Sequence, residues 1–303
     1  MFVDYDYLSP SNVIRLGLAA LVGCSVIRWW VGSDVHNCLE NTCVARFAQK
    51  INRLTRYNLA VAPHLVEELR TIGIKSNFIP SFVEAWHFSA GVKPGPPPRR
   101  VLVYLPSSRR EFYGGSVIDR VIAANPDLEF LVVADTASDA HVGKANVRSL
   151  GWVKDLSSVY SQIGCVLRIT KHDGLPRMVI EGLFRGKHVI YSWPLQGCSL
   201  AKTNYSVQEH LDQFKAARSP NLEGRDAIIR MYGDSPIAQF LDYVCMARSH
   251  FNFRPRFFSL AAVPPFFLIN CFYIHFATTS RLCLKSGRWR IARTLFLQSH
   301  KPR

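Results

Sequence analysis

Short, continuously apolar runs alternate with helical periodicity from residue 25 to residue 192, and few folds accommodate that pattern. SVIRWWV (25–31), NLAVAP (58–63), SNFIP (76–80), VLVYL (101–105), EFLVVAD (129–135), VRSLGW (147–152), GCVLRIT (164–170) and HVIYS (188–192) read as strands. A strand apolar at nearly every position, rather than at every second one, is covered on both faces. HLVEELRTIG, GSVIDRVIAANP, DLSSVYSQI and PRMVIEGLFRG read as the helices between them. Upstream, residues 13–22 read as a helix running into the first strand, since Arg15 and Arg28 interrupt an otherwise apolar stretch. Strand–helix–strand repetition gives parallel sheets with helices on both sides.

GVKPGPPPRR (91–100) holds four prolines and two glycines, which suit neither a helix nor a central strand. It divides the chain into an α/β protein of two Rossmann-like domains. Residues 1–90 form a partial first domain, 91–100 a linker and 101–250 a second domain. Residues 251–303 form a hydrophobic, basic tail.

The formal net charge is +15, yet no Asp or Glu follows Asp242 while ten Lys and Arg side chains do, from Arg248 to Arg303. The excess is therefore largely a property of the tail, which argues against a nucleic-acid partner. Within the tail, FFSLAAVPPFFLINCFYIHFATTS (257–280) is uncharged, rich in aromatics and bracketed by cations. The expectation is attachment to an anionic membrane surface from the cytoplasmic side, by a span or an interfacial helix. A helix packed on the body of the protein is the alternative. Eight scattered cysteines show neither a Cys-x-x-Cys pair nor zinc spacing and are expected to be reduced.

The candidate site lies in KHDGLPRMVIEGLFRGKHVIYS (171–192). Ligands of doubly wound sheets sit beyond the carboxyl ends of the strands, which is where Lys171, His172 and Asp173 fall. Gly174 permits close backbone approach, and Pro176 suits a helix start, where free N–H groups and the positive dipole end favour a diphosphate. Other readings stand beside these. Asp173 before a glycine is also a turn acid, and Arg177 and Arg185, four residues either side of Glu181, also make a charge stripe on one helical face. Arg168 inside an apolar strand calls for a partner, with Asp173 or the cleft as the options.

Asp173-Gly-Leu-Pro through Glu181, followed by Gly186-Lys-His-Val-Ile, resembles the E-x7-E signature of retaining GT-B glycosyltransferases, family 4 and its relatives. LGWVKDLSSVY (150–160), APHLVEELRTIGI with IPSFVEAWHF (62–88) and WWVGSDV (29–35) resemble neighbouring parts of that family, so the likeness runs over about residues 25–235. The resemblance implies that Asp173 holds hydroxyls of the donor sugar and that Gly174 and Leu175 offer amides to it. Glu181 would bind the ribose, with Arg168 and His172 lining the donor pocket. Arg109 and Arg110 would hold the diphosphate, and Asp34 and His36 would border the acceptor. Two departures stand out. The first acid is Asp instead of Glu, and SVIRWWV begins at residue 25, where the family has a further strand and glycine-rich loop upstream.

The expected activity is retaining transfer from a nucleotide sugar to a hydroxyl of a glycan or lipid-linked acceptor in surface-glycan synthesis. The donor is a substrate; no cofactor and no metal are expected. Asp4-Tyr-Asp6 matches the D-x-D of metal-dependent transferases, but nothing precedes it that would bind a nucleotide. The rival readings are a non-catalytic relative that binds without turnover, a nucleotide-sugar epimerase, and nucleic-acid binding through the tail.

Overall fold

Parallel strands cannot be joined by a tight turn, so each pair here is separated by a helical crossover or a long loop. The computed structural model describes residues 2–4, 10–21, 24–83, 87, 89, 91–135 and 144–249. Its first unit runs β1 (Phe2–Asp4), α1 (Pro10–Leu21), β2 (Val26–Trp30), α2 (Ser33–Glu40), α3 (Thr42–Asn52), β3 (Thr55–Ala60), α4 (Pro63–Thr71) and β4 (Asn77–Phe78). These strands pair in parallel in the order β1-β2-β3-β4. β3 begins three residues before the expected run because Thr55 and Tyr57 are half-buried strand positions. Val61 and Ala62, also apolar, are buried in the turn into α4.

The proline-rich segment contains no helix or strand up to residue 99. The second unit follows as β5 (Arg100–Tyr104), a 3-10 helix (Ser107–Tyr113), α5 (Gly115–Ala124), β6 (Glu129–Val133), β7 (Val147–Gly151) and α6 (Ser157–Tyr160). It continues through β8 (Cys165–Arg168), α7 (Arg177–Phe184), β9 (His188–Tyr191), β10 (Ser199–Leu200), α8 (Asn204–Ala216) and α9 (Leu222–Met231). The sheet order is β10-β9-β8-β5-β6-β7, all parallel. This is the doubly wound order, with its reversal between β5 and β8. α5 and α8 pack on one face through Ile118, Ile122, Leu211 and Phe214. α7 and α9 pack on the other through Val179, Leu183 and Ile228. The loops leaving β5 and β8 therefore part toward opposite faces and leave a crevice between them.

The last described helix, α10 (Pro236–Ser249), ends one residue before the expected boundary at residue 250. It returns to the first sheet, where the Phe240 and Trp29 rings lie 5.1 Å apart, as do those of Tyr243 and Tyr57. The Ser25 hydroxyl donates to the Ala247 carbonyl at 2.9 Å. One apolar core runs from Trp29 and Leu59 in the first unit to Leu175, Val179 and Tyr191 in the second. No disulfide links the six described cysteines; Cys38 and Cys165 are buried, while Cys43 and Cys245 are exposed. Among the described residues no helix is long and apolar enough to cross a membrane. The 251–303 tail and residues 5–6 of the early D-x-D lie outside the described residues.

The two units come close at a pair of glycines. A Cβ on Gly174 would fall 2.0 Å from the Val31 carbonyl oxygen, and one on Gly32 would fall 2.7 Å from the Gly174 nitrogen. Gly32 also has φ +125°, a conformation that L side chains rarely adopt. We expect Gly174→Ala to lower stability by about 1–3 kcal/mol, the usual cost of overpacking, because backbone stands on the opposing side. Urea denaturation checks this; an unchanged midpoint would show that the crossing is not tight.

Candidate functional site

The crevice over β5 and β8 is lined by aromatic and charged side chains. Arg168, the last residue of β8, is buried at 7% exposure, and its Nε and Nη2 each lie 2.9 Å from Asp173 Oδ2. Its guanidinium is 4.6 Å from the Tyr104 ring and 4.8 Å from the Tyr113 ring. Burial alone favours deprotonation, but the Asp173 carboxylate outweighs it and holds the Arg168 pKa above its ordinary value. Asp173 Oδ1 accepts from the Gly174 amide at 3.1 Å. The strand arginine that needed a partner thus finds it in the first acid of the signature.

The loop after β5 supplies a second cation. Arg109 stacks over Phe112 at 4.1 Å and makes no ion pair with any described residue. The first domain closes the other side of the cleft with Val31, Ser33, His36, Asn37 and Glu40, leaving a volume of about 490 Å³. His36 stacks on His172 at 4.9 Å. Burial, then the neighbouring His172, lowers the His36 pKa below the ordinary imidazole value, so the neutral ring is favoured.

α4 of the first domain ties down the loop that carries Asp173. His64 Nε2 lies 2.8 Å from the Asp173 carbonyl, which only accepts, so this nitrogen carries the hydrogen. Burial lowers the His64 pKa as well, although the bond to that carbonyl opposes the shift. His172, itself buried, meets Glu68 Oε2 at 2.9 Å.

The cleft brings together Asp173, Gly174, His172, Arg109 and His36, with Arg168 immediately behind Asp173. The remaining expected residues are placed elsewhere. Arg110 is turned to Asp119 of α5, with its Nη2 at 2.6 Å and 2.5 Å from the two carboxylate oxygens. Asp34 is buried, and its Oδ1 accepts from the Gly32 and Val35 amides at 2.9 Å, holding the β2–α2 turn. Desolvation raises the Asp34 pKa in spite of those bonds. Leu175 packs in the core.

Glu181 is not among the residues around the cleft. It lies 3.5 Å from Arg177 Nε and 3.6 Å from His87 Nε2, and Arg185 donates to its carbonyl. The spacing of three charges along α7 is thus realised in part as an i,i+4 pair. Tyr104, Phe112, Tyr113, His64 and Glu68 belong to the site and were not anticipated. For the aromatics of the loop after β5, LPSSRREFYGG (105–115), the clustering of rings beside the two arginines is the visible signal. Among the described residues no three His, Cys, Asp or Glu side chains converge with metal-binding geometry.

No family model matches this sequence, and no curated protein matches it. Solved structures do. HepE of Anabaena, in complex with UDP, superposes with a TM-score of 0.60 at 13% identity, over 81% of this chain and 78% of that one. The lipopolysaccharide outer core galactosyltransferase WaaB gives 0.55 at 13%, over 78% and 80%. TarM gives 0.57 at 12%, over 74% of this chain and 50% of its own, so the present chain spans only about half of TarM's length. These likenesses establish the GT-B fold, with two Rossmann-like domains facing each other across a cleft.

Removing Arg168 leaves a largely buried carboxylate without its cation. We expect Arg168→Met to destabilise the protein by about 3–5 kcal/mol, as for other buried pairs broken on one side. Arg168→Met combined with Asp173→Leu should recover much of that loss. A double-mutant cycle by chemical denaturation measures the coupling; additive effects would contradict it.

Proposed function

We propose that this protein is a glycosyltransferase that moves a sugar from a nucleotide-sugar donor to a hydroxyl of a glycan or lipid-linked acceptor. The observation that carries the reading is the cleft at the β5–β8 reversal, where Asp173 and Arg109 face a common volume beneath the first domain. HepE has been seen with UDP-glucose and TarM with UDP on the same fold, which supports a nucleotide sugar as the donor.

Each side chain has a chemical task in this reading. Asp173, already holding a guanidinium, is a fixed hydrogen-bond acceptor for donor hydroxyls. Arg109, cationic and held on Phe112 at the cleft wall, meets the diphosphate as negative charge develops on it. The bond between the anomeric carbon and the diphosphate oxygen breaks, and the acceptor oxygen forms the new bond on the same face, with retention. The acceptor proton leaves on the departing diphosphate. We propose that these residues stabilise that charge without a divalent ion.

A second reading is a relative that binds a nucleotide sugar without turning it over; it is favoured by Asp173, whose carboxylate is already taken up by Arg168 and the Gly174 amide. Transfer of radiolabelled sugar separates the two. We expect transfer by the parent protein and a fall of about 10²-fold or more in Arg109→Ala, the usual effect of losing one charge-stabilising donor. Binding of UDP-glucose with no transfer to any acceptor would support the second reading.

The proposed workplace is the cytoplasmic membrane face, reached through the cations and aromatics of residues 251–303. We expect cosedimentation with phosphatidylserine-containing vesicles, lost when 251–303 is deleted. Equal sedimentation of the truncated chain would contradict it.

A further inference from the structure

Among the described residues that the first domain brings to the cleft, His36 alone can acquire a positive charge; the others are Val31, Ser33, Asn37 and Glu40. Its ring meets the Phe112 ring edge-on at 5.6 Å, and the Arg109 guanidinium lies 4.1 Å from the centre of that same ring. Phe112 thus gathers a cation of the second domain and an imidazole of the first. His36 is half-buried, and no described residue hydrogen-bonds to its ring nitrogens, whose ring contacts are Phe112 and His172. Both nitrogens are left for a ligand.

The groups around the ring decide its charge. His172 and Asp173 face it from the loop after β8, Arg109 and Tyr113 from the loop after β5, and Glu40 from its own helix. Behind His172 stand Glu68 and His64 of α4. Burial, with His172 and Arg109, outweighs the carboxylates of Glu40 and Glu68, and among protein groups alone the ring stays neutral. A diphosphate esterified at both ends brings two negative charges and only accepts hydrogen bonds. Seated on Arg109, it offsets the repulsion that this cation exerts on His36 and favours the imidazolium, which donates from both nitrogens. Glu40 and Asp173 on the same walls repel such an anion, so a second cation offsets them.

We propose that His36 is a ligand of the donor diphosphate and takes up a proton from solvent as the diphosphate binds. The proposal rests on the glycosyltransferase reading and adds a diphosphate ligand from the first domain to Arg109 of the second. The sign of the pH dependence follows. A bound donor raises the proton affinity of His36, so donor affinity rises as pH falls through the imidazole range.

Calorimetric titration of the full chain with UDP-glucose, in PIPES and in ACES buffers of different ionisation enthalpy, tests this. UDP-glucose keeps a constant charge between about pH 6 and 8, so its own titration does not enter. We expect proton uptake at neutral pH, and binding about tenfold tighter at the acid end, the equivalent of one pKa unit. His36→Gln should bind without uptake and with no pH dependence. His36→Arg, a fixed cation, should also bind without uptake, yet more tightly than His36→Gln at the alkaline end. A role in packing alone would weaken both variants equally at every pH, and that result overturns the proposal. Binding by the parent without uptake, or uptake that survives in His36→Gln, overturns it too and leaves the donor reading standing. Absence of UDP-glucose binding at either pH removes the donor site and the proposal together.

Discussion

The ion pair between Arg168 and Asp173 fixes the geometry on which the site depends. A strand that is buried along its length ends in a cation, and the loop that follows turns back to neutralise it. The turn sets the direction of the Asp173 carboxylate and brings Gly174 against the first domain. Rings of Tyr104 and Tyr113 flank the guanidinium, so the loops after β5 and β8 are joined through one charged group. Both leave the sheet toward different faces, and the Lys171 amide, donating to the Phe112 carbonyl at 2.9 Å, adds a backbone tie between them.

The first domain secures the same loop from the other side. His64 and Glu68, one turn apart on α4, hold the Asp173 carbonyl and the His172 ring. Apposed glycines let the two backbones meet where any side chain would separate them. α10 then crosses back over the first sheet and packs Phe240 on Trp29. The cleft is thus built from two sheets, with its floor in one and its roof in the other. A donor bound at the reversal of strand order would face Arg109 and His36 across it.

Much of the fold was legible from the chain because burial on both faces writes itself as continuous apolar runs. The eight strands expected from those runs are present, and the proline-rich linker separates the two sheets. β1 and β10 escaped notice, being three and two residues long. α8 and α9, which carry several charged residues each, also escaped notice. At the site, Asp173 and Arg109 were legible because they sit in loops at the carboxyl ends of strands. Arg110 and Asp34 were not separable from them by position, since a loop residue may turn inward or outward and only its partners decide. For Glu181 the helical spacing of three charges carried the competing answer, and the contact with Arg177 follows that spacing. His64 and Glu68 act on a loop more than a hundred residues away, a contact that no local pattern encodes.

We propose that a nucleoside diphosphate binds where the loops of β5 and β8 part, against Arg109 and beside Asp173. A crystal structure of the protein soaked with UDP-glucose tests it most directly. We expect the diphosphate within hydrogen-bonding reach of Arg109, with the sugar hydroxyls turned to the Asp173 carboxylate. Density for the nucleotide on another face of the molecule, or in the cleft with Arg109 and Asp173 untouched, would contradict it.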